Sequence, residues 1–257
     1  MLNFEVIDHP QSQLWVVFIH GAGGSIKTWS SQIGAFKKEY NLLLLDLRDH
    51  GESKNLAPAY DRYVFRIISN DIIQVINHLG IKSAYFVSLS FGSVLLQDFS
   101  MKYPSLVKKA VMAGGIFQAN IAIKMFVHLA RFWNRILDYP TMYNVFSRLL
   151  MPRRRNLKAR RLYRIQAMRL SQEEYLKWIG LYSEFFKLLG SFHHQKINFQ
   201  TQILMGADDY IFLRAAKKFA RLHDLVDIKV LPKTGHICNI EASDEFNRAV
   251  LQFFKTI

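Results

Sequence analysis

The chain has 257 residues, is 50% hydrophobic and carries a formal net charge of +14. Its length and composition predict one catalytic unit with a large core, and its charge indicates an anionic partner. The single cysteine excludes an internal disulfide framework. Because the sequence shows no zinc-ligand spacing, no basic signal peptide and no apolar run of about 18 residues, we expect a cytoplasmic protein.

Short apolar runs alternate with helical segments along most of the chain. This alternation predicts an α/β fold, a mostly parallel sheet with helices on both faces. The segment "LNFEVID" alternates polar and apolar residues, and we expect an antiparallel edge strand that meets the first run across "HPQSQ". The six runs are 14–19, 41–45, 84–88, 109–113, 202–205 and 226–231.

The alternation breaks between residues 116 and 198, which show helical periodicity and no convincing strand. We interpret 116–198 as an inserted helical cap, and residues 1–115 and 199–257 as the α/β core. The aromatic side chains of the cap should lie mostly in its interior, and some should line an apolar acyl pocket. They are Phe117, Phe126, Phe132, Trp133, Tyr143, Phe146, Trp178, Tyr182, Phe185 and Phe186.

The stretch "VVFIHGAGGSIKTW", residues 16–29, fits two kinds of site. Gly21 to Thr28 nearly spells a phosphate-binding loop, for which Asp46 would be the magnesium-holding acid. Alternatively, residues 20–24 form a turn at a strand end that offers backbone N–H groups to an oxyanion. A phosphate loop requires glycine where this chain has Ile26, and a β-branched residue fits poorly there.

The stretch "AYFVSLSFGSVLLQDF" predicts a strand, a sharp turn at Ser90 and a helix. A nucleophilic serine on such a turn needs small residues two positions away on either side, usually as G-x-S-x-G. Here Gly92 is present downstream and Ser88 replaces the upstream glycine, while Ser93 is a further candidate hydroxyl. An ordinary serine that begins a helix is the alternative.

Two later segments supply an acid and a base. "ILMGADDYIF" offers Asp208 and Asp209 after a strand and a glycine, and "VLPKTGHICNIE" offers His236 after the last strand. The order serine, acid, histidine, and the gaps between them, suit a hydrolase of this architecture.

With "HGAGG", "DLRDHGES", "SLSFGS", "MGADD" and "TGHICNIE", the sequence resembles the α/β-hydrolase family with a helical cap. The resemblance covers nearly the whole chain except the cap. It implies Ser90 as nucleophile, His236 as general base and Asp209, preferred over Asp208, as the acid. It also implies the N–H groups of Ala22 and Phe91 as the oxyanion hole, and it requires neither metal nor cofactor.

The predicted cap holds most of the excess positive charge, because residues 116–199 contain 15 Lys and Arg against 4 Asp and Glu. No acid occurs between residues 150 and 170, where we single out Arg154, Lys158 and Arg161 as candidate binding residues. A solvated helix face is the simple interpretation. The functional interpretation is a docking surface for an anionic carrier such as acyl carrier protein. In its length and in the arginines of the cap, the sequence resembles the esterases that act on carrier-bound pimeloyl methyl esters. Lipid or coenzyme A esters suit the same charge, whereas nucleic acid lacks a supporting motif.

We therefore expect a serine hydrolase that cleaves a carboxylic ester or thioester. The alternatives are a non-hydrolytic enzyme with the same triad, as in the menaquinone-pathway lyase, and a binding protein that has lost turnover.

His193 and His194 point apart and favour a surface role over metal binding, and Cys238 favours packing over catalysis.

Overall fold

The computed structural model of the protein describes residues 1–118 and 137–256, together with residues 124, 128 and 132. Its centre is a sheet of seven strands in the order β1-β3-β2-β4-β5-β6-β7. The strands are β1 Phe4–Ile7, β2 Trp15–Ile19, β3 Asn41–Leu45, β4 Ala84–Leu89, β5 Val107–Ala113, β6 Gln200–Gly206 and β7 Val226–Leu231. Strands β2 to β7 are parallel to one another, which confirms the predicted α/β class.

The first strand is an antiparallel edge strand, as predicted, but the neighbour expected for it was wrong. β1 pairs with β3, with Phe4 opposite Leu45, and not with β2. Both edges of β2 are occupied by the parallel strands β3 and β4, so the only free edge on that side of the sheet belongs to β3. The connection through residues 8–14 therefore passes over a strand instead of making a hairpin.

Helices follow most strands and cover the sheet on both faces. All five residues of β3 are buried, which requires cover on both faces because successive side chains point to opposite sides. The helices are α1 Ser30–Phe36, α2 Phe65–His78, α3 Phe91–Lys102, α4 Tyr139–Leu150, α5 Leu157–Ala167, α6 Gln172–Ile179, α7 Tyr182–His194, α8 Leu213–Ala220, α9 Cys238–Glu241 and α10 Ser243–Lys255. Within the described part of the chain, no helix is both long and apolar enough to cross a membrane.

Helices α4 to α7 lie between β5 and β6, in the stretch that the sequence analysis assigns to a cap; we call this stretch, residues 116–198, the helical segment. Its described residues contain no strand. Asp138 caps α4 by accepting a hydrogen bond from the Thr141 N–H, and Ser171 caps α6 by accepting one from the Glu174 N–H. Phe126 and Trp133, two of the aromatic residues named above, lie outside the described residues.

Candidate active site

Ser90 occupies the sharp turn between β4 and α3. Its backbone has a φ of 53° and a ψ of −121°, a conformation that side chains other than glycine rarely adopt and that commonly marks a functional site. A Cβ atom on Gly92 would lie 2.5 Å from the carbonyl oxygen of His20, so only glycine fits where the helix approaches β2. Ser88 is an ordinary strand residue without a positive φ, which is why serine is accepted in place of the usual upstream glycine.

A continuous hydrogen-bonded chain links three side chains at the ends of different strands. The Nε2 atom of His236 lies 2.8 Å from the Oγ atom of Ser90, and its Nδ1 atom lies 2.7 Å from the Oδ2 atom of Asp209. His236 and Asp209 are buried, whereas Ser90 is partly exposed. The structure therefore brings together the serine, histidine and acid that the resemblance implies, with only the serine open to a ligand.

The other two serines of the turn are held elsewhere. Ser88 is fully buried and donates to the carbonyl oxygen of Val111 at 3.1 Å. Ser93 is also buried; its hydroxyl donates to the Ser90 carbonyl at 2.7 Å and accepts from the Ile116 N–H at 3.0 Å. Neither hydroxyl reaches a base, so both stabilise the backbone around Ser90.

The two adjacent acids after β6 point in different directions. Asp209 faces His236, and its second oxygen accepts a hydrogen bond from the Phe212 N–H at 3.1 Å. Asp208 faces the helical segment, where it pairs with Arg155 and, at 3.2 Å, with Arg153. Asp208 thus links the helical segment to the loop that also carries Asp209, and it does not contact His236.

Residues 20–24 form a tight turn whose peptide groups are fixed on both sides of Ala22. The carbonyl of Gly21 accepts from the Gly24 N–H at 3.0 Å and from the Nδ1 atom of His20 at 2.8 Å. On the next peptide, the N–H of Gly23 donates to the Nε2 atom of His50 at 2.9 Å. Ala22 itself is exposed, so its N–H is held in one orientation beside Ser90 without being part of the core.

The two histidines behind this turn are buried and neutral. Burial lowers the pKa of His20 from 6.5 to about 4, and burial together with the nearby His20 lowers the pKa of His50 well below its ordinary value. Each ring accepts a backbone N–H at Nε2, from Leu47 at 3.0 Å and from Gly23, so each carries its proton on Nδ1. Both rings stabilise the turn and its surroundings by accepting backbone N–H groups, which a protonated imidazole cannot do.

The helical segment contacts the turn and the histidine loop directly. Tyr143 donates a hydrogen bond of 2.6 Å from its hydroxyl to the carbonyl of Ala22, and burial raises the pKa of that hydroxyl, which keeps it protonated. Gln166 accepts from the hydroxyl of Thr28 at 2.9 Å. Asn156 donates to Glu241, a carboxylate that also accepts from the Gly235 N–H at 2.9 Å.

Two small cavities flank Ala22 beneath the helical segment. One, of about 20 Å³, touches Ser90 and is lined further by Tyr163, Gln166, Ile237 and Ile240. The other, of about 50 Å³, is enclosed mainly by aromatic rings. Its aromatic lining residues are Phe91, Tyr139, Tyr143, Tyr175, Trp178 and Tyr182. Three of the aromatic residues expected near an acyl pocket, Tyr143, Trp178 and Tyr182, therefore line the larger cavity, which also includes Ala22.

The basic residues singled out from the sequence lie away from this site. Arg154 begins a short 3-10 turn before α5, and Lys158 and Arg161 lie on α5 itself; all three are exposed. They are thus on the outer side of a helix whose inner residues, Tyr163 and Gln166, line the cavity at Ser90.

The structure gives Asp46 a structural task and so removes support for a phosphate loop. One carboxylate oxygen accepts from the Ile26 N–H at 2.8 Å, and the other accepts from the Glu52 N–H at 2.9 Å and from the side-chain amide of Asn3 at 2.8 Å. Both oxygens are therefore occupied by the protein. Asp46 ties together three chain segments behind the turn.

The remaining candidates carry no chemistry in the described structure. No group of three metal-ligating side chains is found among the described residues, and the rings of His193 and His194 on α7 pack edge to face with centroids 5.1 Å apart, so the expectation that they point apart was wrong. Burial raises the pKa of the Cys238 thiol to about 12, which makes it a packing residue. Gln166 has no role in the sequence-based predictions, and Tyr143 is named there only as one of the cap aromatics, because no local motif marks their contacts with Thr28 and Ala22.

A family model for the α/β hydrolase fold matches residues 15–140. Among curated proteins, epoxide hydrolase 3 of Mus musculus is 33% identical over 101 residues, 39% of this chain and 27% of that protein. The (E)-2-((N-methylformamido)methylene)succinate hydrolase of Acinetobacter baylyi is 29% identical over 109 residues, 42% of this chain and 40% of that protein. The chain thus spans well under half the length of either relative.

Solved structures match almost the entire chain. MenH from S. aureus superimposes with a TM-score of 0.82 and 20% identity, covering 99% of this chain and 98% of that one. A thermophilic esterase from Thermogutta terrifontis gives 0.81 and 18%, covering 99% and 93%. Such low identities establish the fold alone. With the family model, the sheet order and the strand-turn-helix at Ser90, they show that the chain has the α/β-hydrolase fold.

Proposed function

We propose that the protein is a serine hydrolase that cleaves a carboxylic ester or thioester, with Ser90 as nucleophile. The observation that carries this proposal is the hydrogen-bonded chain from Ser90 through His236 to Asp209, with distances of 2.8 and 2.7 Å. A serine hydroxyl is a weak nucleophile at neutral pH unless a base lies within hydrogen-bonding distance, and here the base is itself oriented by a buried acid.

The proposed reaction has two halves. Ser90 attacks the carbonyl carbon of the substrate while His236 accepts the hydroxyl proton at Nε2 and then delivers it to the leaving alcohol or thiol. Water, deprotonated by the same nitrogen, then attacks the acyl-serine; the bond to the Ser90 Oγ atom breaks, His236 returns the proton to that oxygen, and the acid is released. Asp209 keeps the proton of neutral His236 on Nδ1 and stabilises the imidazolium that forms in each half.

We assign the oxyanion hole to the N–H groups of Ala22 and Phe91. Phe91 is the first residue of α3, so its N–H has no partner within the helix and lies at the positive end of the helix dipole. The Ala22 N–H is held by the fixed peptides on either side of it. Two preorganised donors of this kind contribute about 3 to 4 kcal/mol each to stabilising the transition state.

We further propose that residues 116–198 form a cap and that the acyl group occupies the space beneath it. The aromatic lining of the larger cavity suits an apolar acyl chain. Cavities of about 20 and 50 Å³ hold little more than a water molecule each, so the cap must shift outward when an acyl chain enters. The exposed cations of α5 suit an anionic partner that presents the acyl group, as the charge of the sequence suggests.

The alternative with the same triad, a non-hydrolytic enzyme like the menaquinone-pathway lyase, needs cations to hold substrate carboxylates. The two cavities that flank Ala22, one of which touches Ser90, have no lysine or arginine among their described lining residues. Since an ester with an apolar acyl group needs no such cation, this lining supports hydrolysis over the lyase reaction.

The test combines a fluorophosphonate probe with short p-nitrophenyl esters. We expect the probe to label wild-type protein and not Ser90→Ala, and the ester to be hydrolysed with turnover lowered by several orders of magnitude in Ser90→Ala. Ser88→Ala is the matched control, since that hydroxyl is buried and bonded to a strand carbonyl. Absence of labelling would indicate a binding protein without turnover, and labelling without ester hydrolysis would favour the non-hydrolytic alternative.

A further inference from the structure

The outer face of α5 exposes large apolar side chains. Leu157 and Ile165 are 52% and 57% exposed, and Leu162 and Met168 are 38% and 40% exposed. At 100° per residue Leu157, Ile165 and Met168 lie on the side of the helix opposite the buried Ala159 and Ala167, and Leu162 lies at the edge of that side. A surface helix normally presents polar residues on this side, so exposed apolar residues at four positions mark an interaction surface.

Basic side chains alternate with the apolar ones on the same face. Arg154, Lys158, Arg161 and Arg164 are all exposed, and among the described residues none of them has an acidic partner within 4.0 Å. Other cations of this stretch are already engaged. Arg153 and Arg155 pair with Asp208, Arg169 pairs with Glu52, and Arg160 donates to the Met151 carbonyl. The four cations without an acidic partner therefore belong to the outer face of α5 and its preceding turn.

This surface adjoins the candidate active site through the helix itself. Tyr163 and Gln166 line the cavity at Ser90 from the inner side of α5. A helix with its side chains is about 10 to 12 Å across, so a ligand on the outer face lies one helix diameter from the nucleophile. Helix α4, which packs against α5, also exposes two apolar side chains, Val145 and Leu149.

We propose that this face, residues 154–168, docks the protein on an anionic lipid surface from which the ester substrate is taken. Cations interleaved with exposed Leu, Ile and Met side chains are what a helix needs to lie at a bilayer interface, because the cations meet the anionic headgroups while the apolar side chains enter the acyl boundary. An acidic carrier protein would be complementary to the four cations but would leave the apolar side chains without a partner. The observations therefore favour the lipid surface.

Only the statement that the lipid surface supplies an ester substrate rests on the proposed function. Binding to the surface itself is measured without turnover. Co-sedimentation with vesicles of phosphatidylcholine alone, and with about 30% phosphatidylglycerol, is the direct measurement, at low and high salt. We expect binding to the anionic vesicles that is at least about tenfold tighter than to the neutral ones and that weakens as salt rises.

Two variants separate the two kinds of contact. Lys158→Gln with Arg161→Gln removes charge, and Ile165→Ser with Met168→Ser removes apolar surface; each pair should weaken vesicle binding on the order of tenfold or more. Lys37→Gln with Lys38→Gln, and Leu222→Ser, are matched controls, because these exposed residues lie outside the helical segment. The controls should bind vesicles like the wild type.

Three outcomes would overturn the proposal. The first is that the wild type does not bind anionic vesicles at low salt. The second is that the Ile165→Ser, Met168→Ser variant binds anionic vesicles as tightly as the wild type. The third is that the protein binds acyl carrier protein and does not bind vesicles. Hydrolysis of a short p-nitrophenyl ester, measured alongside, keeps the two proposals apart. If the protein hydrolyses the ester but does not bind vesicles, only the docking surface is refuted. If it binds vesicles but hydrolyses no ester, the proposed hydrolase activity is refuted.

Discussion

The hydroxyl of Tyr143, on α4, donates a 2.6 Å hydrogen bond to the carbonyl of Ala22, 121 positions earlier in the chain. The N–H of the same peptide, that of Gly23, donates to His50. One peptide is therefore fixed at its oxygen by the helical segment and at its nitrogen by the core. Because the neighbouring N–H in the turn is the proposed oxyanion donor of Ala22, Tyr143 acts as a positioning residue for it.

We predict that Tyr143→Phe lowers kcat for a short ester about three- to tenfold with little change in KM, since one hydrogen bond of about 1 kcal/mol is lost and the donor is less well held. The variant should remain folded, as judged by its thermal unfolding. Tyr139→Phe is the matched control, because its hydroxyl donates at 2.8 Å to Ala167 and not to the turn. Equal losses in both variants, or a change in KM alone, would contradict the positioning role.

The acid assignment predicts a wide separation between two neighbouring substitutions. Asp209→Asn should lower turnover by about three to four orders of magnitude, because an amide at this position favours the wrong tautomer of His236. Asp208→Asn loses contacts with Arg153 and Arg155 and should change turnover only a few fold. The measurement is kcat/KM on a small ester for both variants. The opposite ranking would show that Asp208 serves the histidine in solution.

Alanine substitutions at two glycines should change the free energy of unfolding in opposite directions. Gly92→Ala places a Cβ 2.5 Å from the backbone carbonyl oxygen of His20, just after β2, so we expect loss of stability and of activity. Gly190 lies exposed within α7, and a Cβ added to it would meet no atom within 4 Å. Gly190→Ala should therefore stabilise the protein by about 0.5 to 1 kcal/mol. Urea unfolding of both variants checks the pair, and a tolerated Gly92→Ala would argue against the close approach of α3 to β2.

The buried histidines predict that stability falls in mild acid. The pKa of His20 is lowered from 6.5 to about 4, so between these values the unfolded chain binds a proton that the folded chain does not. The free energy of unfolding should thus be highest above pH 6.5 and decline toward pH 4, by on the order of 3 kcal/mol for this group. His20→Gln, whose side chain does not titrate, should show a shallower decline in urea unfolding. Identical slopes in the two proteins would refute the assignment.

The parallel part of the fold was predictable because each strand is a short apolar run followed by helical periodicity. The pairing of β1 was not, since the sequence of an edge strand does not encode which strand offers a free edge. The candidate triad could be proposed from three short motifs, as each of its residues lies at a turn with its own local signal. Tyr143, Gln166 and Asn156 carry no such signal, because their partners lie 121, 138 and 85 positions away in the chain.

These long-range contacts bear on how the helical segment could be exchanged among related proteins. Tyr143 binds the turn of Ala22, Arg155 binds the acid loop through Asp208, and Asn156 binds the histidine loop through Glu241. A foreign segment grafted between β5 and β6 would bring different residues to all three loops. A chimera built at those boundaries would keep the candidate triad in its sequence and lose the side-chain contacts that hold its loops in place. Transplanting a new substrate preference into this scaffold therefore requires the three anchoring side chains to be carried across with the graft.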